Sequence, residues 1–232
     1  MEVGYLEKLK NSPELQDAEW GICQSDPYYF LTTWAKTLDV HDDINPIKTF
    51  PEKDYIERFV EVWLEEKLLL IPKSRQMMLT WLCVGLYLWD TMFHKGKLTF
   101  FQSKKEEDAD DLIKRCKFIW DNLPKFLQRY QEDGIFKELT CNPQNKGQHI
   151  SCKMCFPDIY SEIRGVPQGG DIVRMHTLSG LFSDEMAFQN EAKSSFTAAR
   201  PTISNGGRMT CVSTAEDNTY FQELCFDLLE IV

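Results

Sequence analysis

From residue 68 onward, short and nearly uninterrupted apolar runs alternate with longer stretches of helical periodicity. The short runs are Leu68-Leu69-Leu70-Ile71, Leu98 to Gln102, Leu178 to Phe182 and Met209 to Val212. Each has the length and composition of a parallel strand buried on both faces. Between them, Thr80 to Met92 predicts a helix apolar on most sides, and Glu106 to Asn122 predicts one closed by Pro124. Gln148 to Phe156 alternates, with Ile150, Cys152, Met154 and Phe156 on one face, and predicts a further strand. Gly165 to Gly170 reads as a Gly/Pro loop. Upstream, Asp54 to Lys67 predicts an amphipathic helix with Tyr55, Phe59, Trp63 and Leu64 near one face. Residues 1–50 form a helical preamble: a mixed-charge stretch from Leu6 to Leu15, an aromatic-rich helical stretch from Tyr28 to Leu38, then breakers at Asp42-Asp43, Pro46 and Pro51.

Strands alternating with helices predict an α/β fold, a mostly parallel sheet flanked by helices. Residues 51–232 would form that core, with residues 1–50 as a small N-terminal helical subdomain. In open sheets of this class a ligand sits beyond the carboxyl ends of the strands. Three polar clusters fall there, after Ile71, after Phe182 and after Val212.

Composition narrows the functional classes. The 232 residues are 43% hydrophobic and 27% charged, ample for a single core. No run approaches the roughly 18 apolar residues of a membrane span. The most apolar window, Trp81 to Phe93, is short and carries Asp90, and the N-terminus lacks the layout of a signal peptide, so a cytoplasmic location is expected. The eight scattered cysteines fit free thiols. Cys141, His149, Cys152 and Cys155 could together ligate zinc, but strand alternation sends Cys152 and Cys155 to opposite faces. A net charge of −10 argues against a surface broadly adapted to nucleic acid, so any DNA role would need a local basic strip or a separate gripping domain.

The first polar cluster is Lys73-Ser74-Arg75-Gln76-Met77-Met78-Leu79-Thr80, between a strand and a helix. In a standard phosphate-binding loop, glycines let backbone N–H groups wrap the phosphates, a lysine neutralises their charge and a hydroxyl binds Mg²⁺. Here both glycines and the usual lysine are missing, leaving a lysine at the first position and Thr80 at the last. A long lysine can reach the same phosphates from the other side of the loop, because only its ammonium must arrive; a plain turn holding a Lys and a Thr is the bland alternative. The second cluster, Asp184-Glu185, ends an apolar strand, where an Asp can hold Mg²⁺ and a Glu can polarise attacking water. Its alternative is an exposed acidic pair opening a helix at Met186. The third, Ser213-Thr214, can hydrogen-bond a terminal phosphate or its attacking water, or simply form a turn. Loop, acidic pair and hydroxyl pair in this order are the layout of an additional-strand P-loop ATPase.

Taken with Gln102-Ser103-Lys104-Lys105-Glu106-Glu107-Asp108-Ala109 and Ile163-Arg164-Gly165-Val166-Pro167-Gln168-Gly169, the three clusters resemble the ATPase half of phage large terminases, from about residue 45 to 225. The resemblance implies ATP hydrolysis with Mg²⁺, Lys73 on the phosphates, Thr80 and Asp184 on the metal, Glu185 as catalytic carboxylate and Ser213-Thr214 as coupling motif. It further implies an arginine finger at Arg75 within the subunit and another at Arg174 reaching a neighbour's nucleotide. Double-stranded DNA, a portal protein and a small terminase subunit would be the partners of an assembled homo-oligomeric ring in the infected host cell, with a monomer in isolation. Met77 and Met78 depart from the family's small loop residues. No glutamine lies between Asp39 and Ile71 to read adenine, leaving Phe50 and Tyr55 as stacking candidates, and the family's nuclease half is missing from the chain. A helicase-like motor and a non-catalytic P-loop-like scaffold that binds DNA or a partner are the alternatives.

Overall fold

A computed structural model describes residues 3–74, 77–129, 136–139 and 151–229. The chain opens with helices α1 (Val3–Asn11), α2 (Pro13–Ser25) and the single turn α3 (Pro27–Tyr29), which widens into a π-turn at Phe30–Trp34. A small hairpin, β1 (Lys36–Leu38) and β2 (Ile47–Thr49), and helix α4 (Asp54–Glu65) lead into the alternating region. There follow β3 (Leu68–Lys73), α5 (Leu79–Phe93), β4 (Leu98–Gln102), α6 (Glu106–Asp121), β5 (Phe136–Leu139), β6 (Ser151–Phe156) and β7 (Ser161–Val166). Then come α7 (Asp171–Arg174), β8 (Gly180–Asp184), α8 (Ala192–Ser204), β9 (Arg208–Thr214) and α9 (Tyr220–Leu229).

Among the described residues, seven strands form one sheet in the order β3-β9-β8-β4-β7-β6-β5. The first five run parallel, and β6 and β5 add on antiparallel. Successive strand residues alternate between two cores, because side chains leave a strand on opposite faces. Phe101, Phe182 and Val212 face the core built with α4, α5 and α6, while Phe100, Leu181 and Cys211 face the one built with α8 and α9. The first of these cores also takes in Leu9, Cys23, Phe30 and Leu31, so the N-terminal helices pack on the same apolar layer as the sheet.

Helix α5 is the pillar of that layer, buried along nearly its whole length. Its Tyr87 hydroxyl donates to the Leu181 carbonyl and meets Thr210 Oγ1, both at 3.0 Å. Gly180 lets β8 approach that ring, since a Cβ there would lie 2.7 Å from Tyr87 Cε1 and 3.1 Å from Thr99 Oγ1. Gly180→Ala is therefore expected to lower the unfolding free energy by roughly 1–3 kcal/mol, the usual cost of overpacking a filled core. A urea midpoint equal to that of the wild type would contradict this packing.

Several details depart from the sequence-based expectation. The helical stretch from Tyr28 ends at Trp34, and residues 36–38 are a strand because they pair with Thr49, Lys48 and Ile47. Helix α4 buries Ile56, Val60 and Trp63, whereas Tyr55 and Leu64 are each 42% exposed, so the apolar face lies about one residue from where the aromatic positions put it. Strand β3 is outermost in the sheet and only half-buried, a position that tolerates Pro72. Gly165 belongs to β7 rather than to a loop, because that strand pairs on both sides, with β4 and with β6.

Candidate functional site

The parallel register brings three strand tips side by side: Lys73 pairs with Thr214, and Asp184 with Val212. Lys73 closes β3, Asp184 closes β8, and Ser213-Thr214 close β9 between them. Thr80 sits in the first turn of α5, at the far end of the loop that Lys73 begins. The Lys73 ammonium donates to Thr80 Oγ1 at 3.0 Å and lies 3.2 Å from Glu185 Oε1 and 3.7 Å from Asp184 Oδ1. Thr80 Oγ1 in turn sits 3.2 and 3.4 Å from the two Asp184 carboxylate oxygens. Residues far apart in the chain thus share one cluster, and Asp184 is only 8% exposed, which removes the reading of an exposed acidic pair.

Glu185 takes a left-handed backbone, φ 52° and ψ 45°, and a single 3₁₀ turn, Met186–Phe188, follows in place of an α-helix. The turn divides the two carboxylate oxygens among three partner residues. Oε1 faces Lys73, while Oε2 accepts from Ser213 Oγ at 3.4 Å, Thr214 N at 3.3 Å and Thr214 Oγ1 at 3.2 Å. Ser213 Oγ also accepts from Ala187 N at 3.1 Å, which ties β9 to the turn after β8.

Two adjacent carboxyls are thereby driven apart in acidity. Burial pushes Asp184 above its ordinary range, reinforced by the Glu185 charge and opposed by Lys73, Arg115 and the Thr80 hydrogen bond. Burial also acts upward on Glu185, but Lys73 and the Thr214 hydrogen bonds outweigh it and hold that carboxyl below its ordinary range. A nearby cation and fixed donors therefore keep Glu185 an acceptor, the state a water-orienting group needs.

Met78 occupies the position before α5 with φ 54° and ψ 5°, left-handed geometry that glycine adopts without strain. At Met78 the chain therefore accepts the local backbone cost. The N-cap residue Met78 supplies no side-chain acceptor to the first turn of α5, the end of a helix that favours anions. Ser74 and Met77 are exposed and Leu79 is buried, while Arg75 and Gln76 lie outside the described residues.

Arg174 is not part of the cluster. It ends α7, pairs with Asp171 at 2.8 Å and remains exposed, lining with His176, Leu178 and Ala198 a hollow of about 270 Å³ below the amino end of β8. Phe50 is 1% exposed and packs in the core, so it cannot stack on a ligand. A cleft of about 480 Å³ adjoins the loop, walled by Met78, Trp81, Pro51 and hairpin residues including Thr37, His41 and Lys48; Tyr55 is not among its walls. Arg115, whose guanidinium lies 5.3 Å from the Trp81 ring centre, is a cation of the site that sequence reading missed, since a mid-helix arginine carries no local signal.

The metal question divides in two. For zinc, Cys141 and His149 fall outside the described residues, and the continuous strand β6 sends positions 152 and 155 to opposite faces. Among the described residues no group of three or more His, Cys, Asp or Glu could hold a metal ion. For Mg²⁺ the donor set fits differently. Asp184 and the Thr80 hydroxyl are hard oxygen donors in contact, and a divalent ion bound by one or two protein oxygens completes its shell with phosphate and water.

No protein-family model matches the chain. Among solved structures, the HK97 bacteriophage large terminase superposes with a TM-score of 0.64 at 11% identity, covering 90% of this chain and 41% of that one. A large terminase from a thermophilic bacteriophage gives 0.54 at 16% identity, covering 78% of this chain and 43% of that one. The chain thus spans less than half the length of either protein, and it shares their fold, a mostly parallel sheet flanked by helices.

Proposed function

We propose that this chain is the ATPase domain of a phage large terminase, hydrolysing ATP to drive double-stranded DNA into a procapsid. The convergence of Lys73, Thr80, Asp184 and Glu185 at neighbouring strand tips carries the reading. The likeness in fold to two large terminases supports it. On this reading residues 51–232 are the motor core and residues 1–50 a helical subdomain seated on it.

The triphosphate lies over the N-terminus of α5, where Met78 offers no side-chain cap and the backbone N–H groups and helix dipole favour anions. Lys73 turns from the two carboxylates toward the phosphates, and Thr80 and Asp184 are left to hold Mg²⁺, which when bound offsets phosphate charge. Glu185 would accept a hydrogen bond from the attacking water and aim it in line with the scissile bond. Because the same carboxylate is hydrogen-bonded to Thr214, any change in its partners is felt directly by the end of β9, the route by which turnover reaches the segment that follows. Arg75 within the subunit and Arg174 from a neighbour in a ring are the arginine fingers of this reading. The portal protein and a small terminase subunit complete the machine in the infected cell, and among the described residues no helix is long and apolar enough to cross a membrane.

The cleft between Met78, Trp81 and the β1–β2 hairpin takes the nucleobase. Trp81→Ala is expected to raise KM for ATP about tenfold with kcat little changed, the signature of lost uniform binding. An unchanged KM would move the base elsewhere. The function itself is tested by calorimetric titration with Mg²⁺-ATP followed by phosphate-release kinetics. Binding and slow turnover are expected; no heat of binding would leave the chain a scaffold without an enzyme's site.

A further inference from the structure

The turn that aims Glu185 is closed by a buried side chain outside the Lys73–Thr80–Asp184–Glu185 cluster. Gln189, 5% exposed, reaches back along the turn, and its Nε2 donates to Ser183 Oγ at 2.9 Å and to the Asp184 carbonyl at 3.0 Å. That carbonyl belongs to the peptide joining the two acidic residues, so holding it fixes the rotation that sets the left-handed Glu185 backbone. The amide can face only one way. Reversing it would set Oε1 against the Asp184 carbonyl, two acceptors with no proton between them. In the orientation it takes, Oε1 is buried and has no hydrogen-bond partner among the described residues. An apolar side chain of equal size would fill the space without burying an unpaired oxygen. The two donated bonds must therefore accomplish something that packing does not.

We infer that Gln189 is a positioning residue, which holds the Asp184–Glu185 peptide so that Glu185 points between Lys73 and Thr214; the inference rests on the ATPase reading of the site. Three further contacts agree with it. The turn's own backbone bonds, Phe188 N to Glu185 O and Gln189 N to Met186 O, carry the Gln189 side chain to the strand it clasps. The bond from Ala187 N to Ser213 Oγ holds the other side of the turn. Without the glutamine, the Asp184–Glu185 peptide loses the one side chain that holds its carbonyl among the described residues, and relaxation of Glu185 toward an ordinary backbone conformation would swing its carboxylate off the water's line of attack. An error of an ångström at such a group costs up to about 100-fold in rate.

The test uses Gln189→Met, which keeps the length and packing and removes the donor, and Gln189→Glu, which keeps the shape and turns the donor into an acceptor. Gln102→Ala is the comparison. It deletes another buried amide that donates two bonds, to the Pro167 and Gly169 carbonyls, from the neighbouring strand. Steady-state kinetics and the binding of a fluorescent ATP analogue are read for each, with thermal melts to establish folding. Both Gln189 variants are expected to lose about 10- to 100-fold in kcat while analogue affinity stays within about twofold. Gln102→Ala is expected to lower the melting temperature comparably with a smaller fall in kcat. Wild-type kcat in either folded Gln189 variant overturns the inference, and so does failure of both to fold, which would make the amide structural. If the wild type itself hydrolyses no ATP, the reading of the site fails, an outcome distinct from a failure of this inference.

Discussion

Lys73→Ala is expected to reduce ATP turnover by at least about 10²–10³-fold, the loss typical of removing one charged or donor group from a preorganised phosphate or oxyanion site. Two features make the effect large. The ammonium is the cation seated directly between Asp184 and Glu185, and the loop has neither the glycines nor the second lysine that would replace it. The same substitution leaves a mark on the unliganded protein. In the wild type, Glu185 is held below its ordinary value of 4.5, so its contribution to stability is present above that pH and is lost as pH falls through the lowered folded value. In the variant, Asp184 and Glu185 face each other with no ammonium between them, Arg115 the one cation left acting on Asp184, and both carboxyls resist ionising more than in the wild type. Such a pair destabilises the fold increasingly as pH rises. The gap in melting temperature between the two proteins should therefore be widest near neutrality and close toward about pH 4. Thermal melts across that range, beside phosphate-release rates, check both halves. A variant with wild-type turnover, or a gap that widens in acid, would refute the assignment of Lys73.

The second large effect lies far from the site. Glu19 is 1% exposed, and its carboxyl accepts three hydrogen bonds: from Tyr5 Oη at 2.8 Å, Tyr29 Oη at 2.6 Å and Trp34 Nε1 at 2.8 Å. Among the described residues no basic side chain pairs with it. These three donors come from α1, α3 and the π-turn, so one carboxyl ties three separate pieces of the N-terminal region to α2. Glu19→Leu removes the acceptor and leaves Trp34 Nε1 buried without a partner, at a cost of about 3 kcal/mol or more. For a chain of this size that corresponds to a fall of roughly 6–12 °C in melting temperature. Glu19→Gln keeps an oxygen for Tyr29 and Trp34 and offers an N–H to the Tyr5 hydroxyl, so most of the loss should be recovered. Equal melting temperatures for Glu19→Leu and wild type would show that the three bonds add nothing to stability.

Much of this architecture is legible in the sequence, and the reasons it is legible are specific. Strands β4, β8 and β9 announce themselves because central parallel strands must be apolar on both faces, which leaves a continuous run along the chain. The cluster is legible because the ligand site of such a sheet is confined to strand tips, so Lys73, Asp184 and Ser213-Thr214 had to be neighbours once the strands were parallel and adjacent. Strand β7 is not legible: Ser161, Glu162, Arg164 and Gly165 have no apolar run, and pairing with β4 and β6 on either side overrides weak local preference. Phe50 looked like a stacking residue because a sequence shows an aromatic side chain and not its 1% exposure. Gln189 and Arg115 carry no signal at all. Their parts depend on where a side chain turns in space, and neither periodicity nor motif spacing encodes that.

The outermost place of β3 has a practical corollary. Among the described residues it has a ladder partner on one side only, β9, and its Leu68 to Ile71 run is half open to solvent. Unpaired backbone groups beside an apolar run are a template on which any extended segment can add a strand, and Pro72 withholds just one donor from it. Handling of the purified protein should therefore be governed by concentration. Dilute samples stay dispersed, whereas concentrated ones gain intermolecular sheet, and a charged residue at an outward-facing β3 position is the simplest remedy.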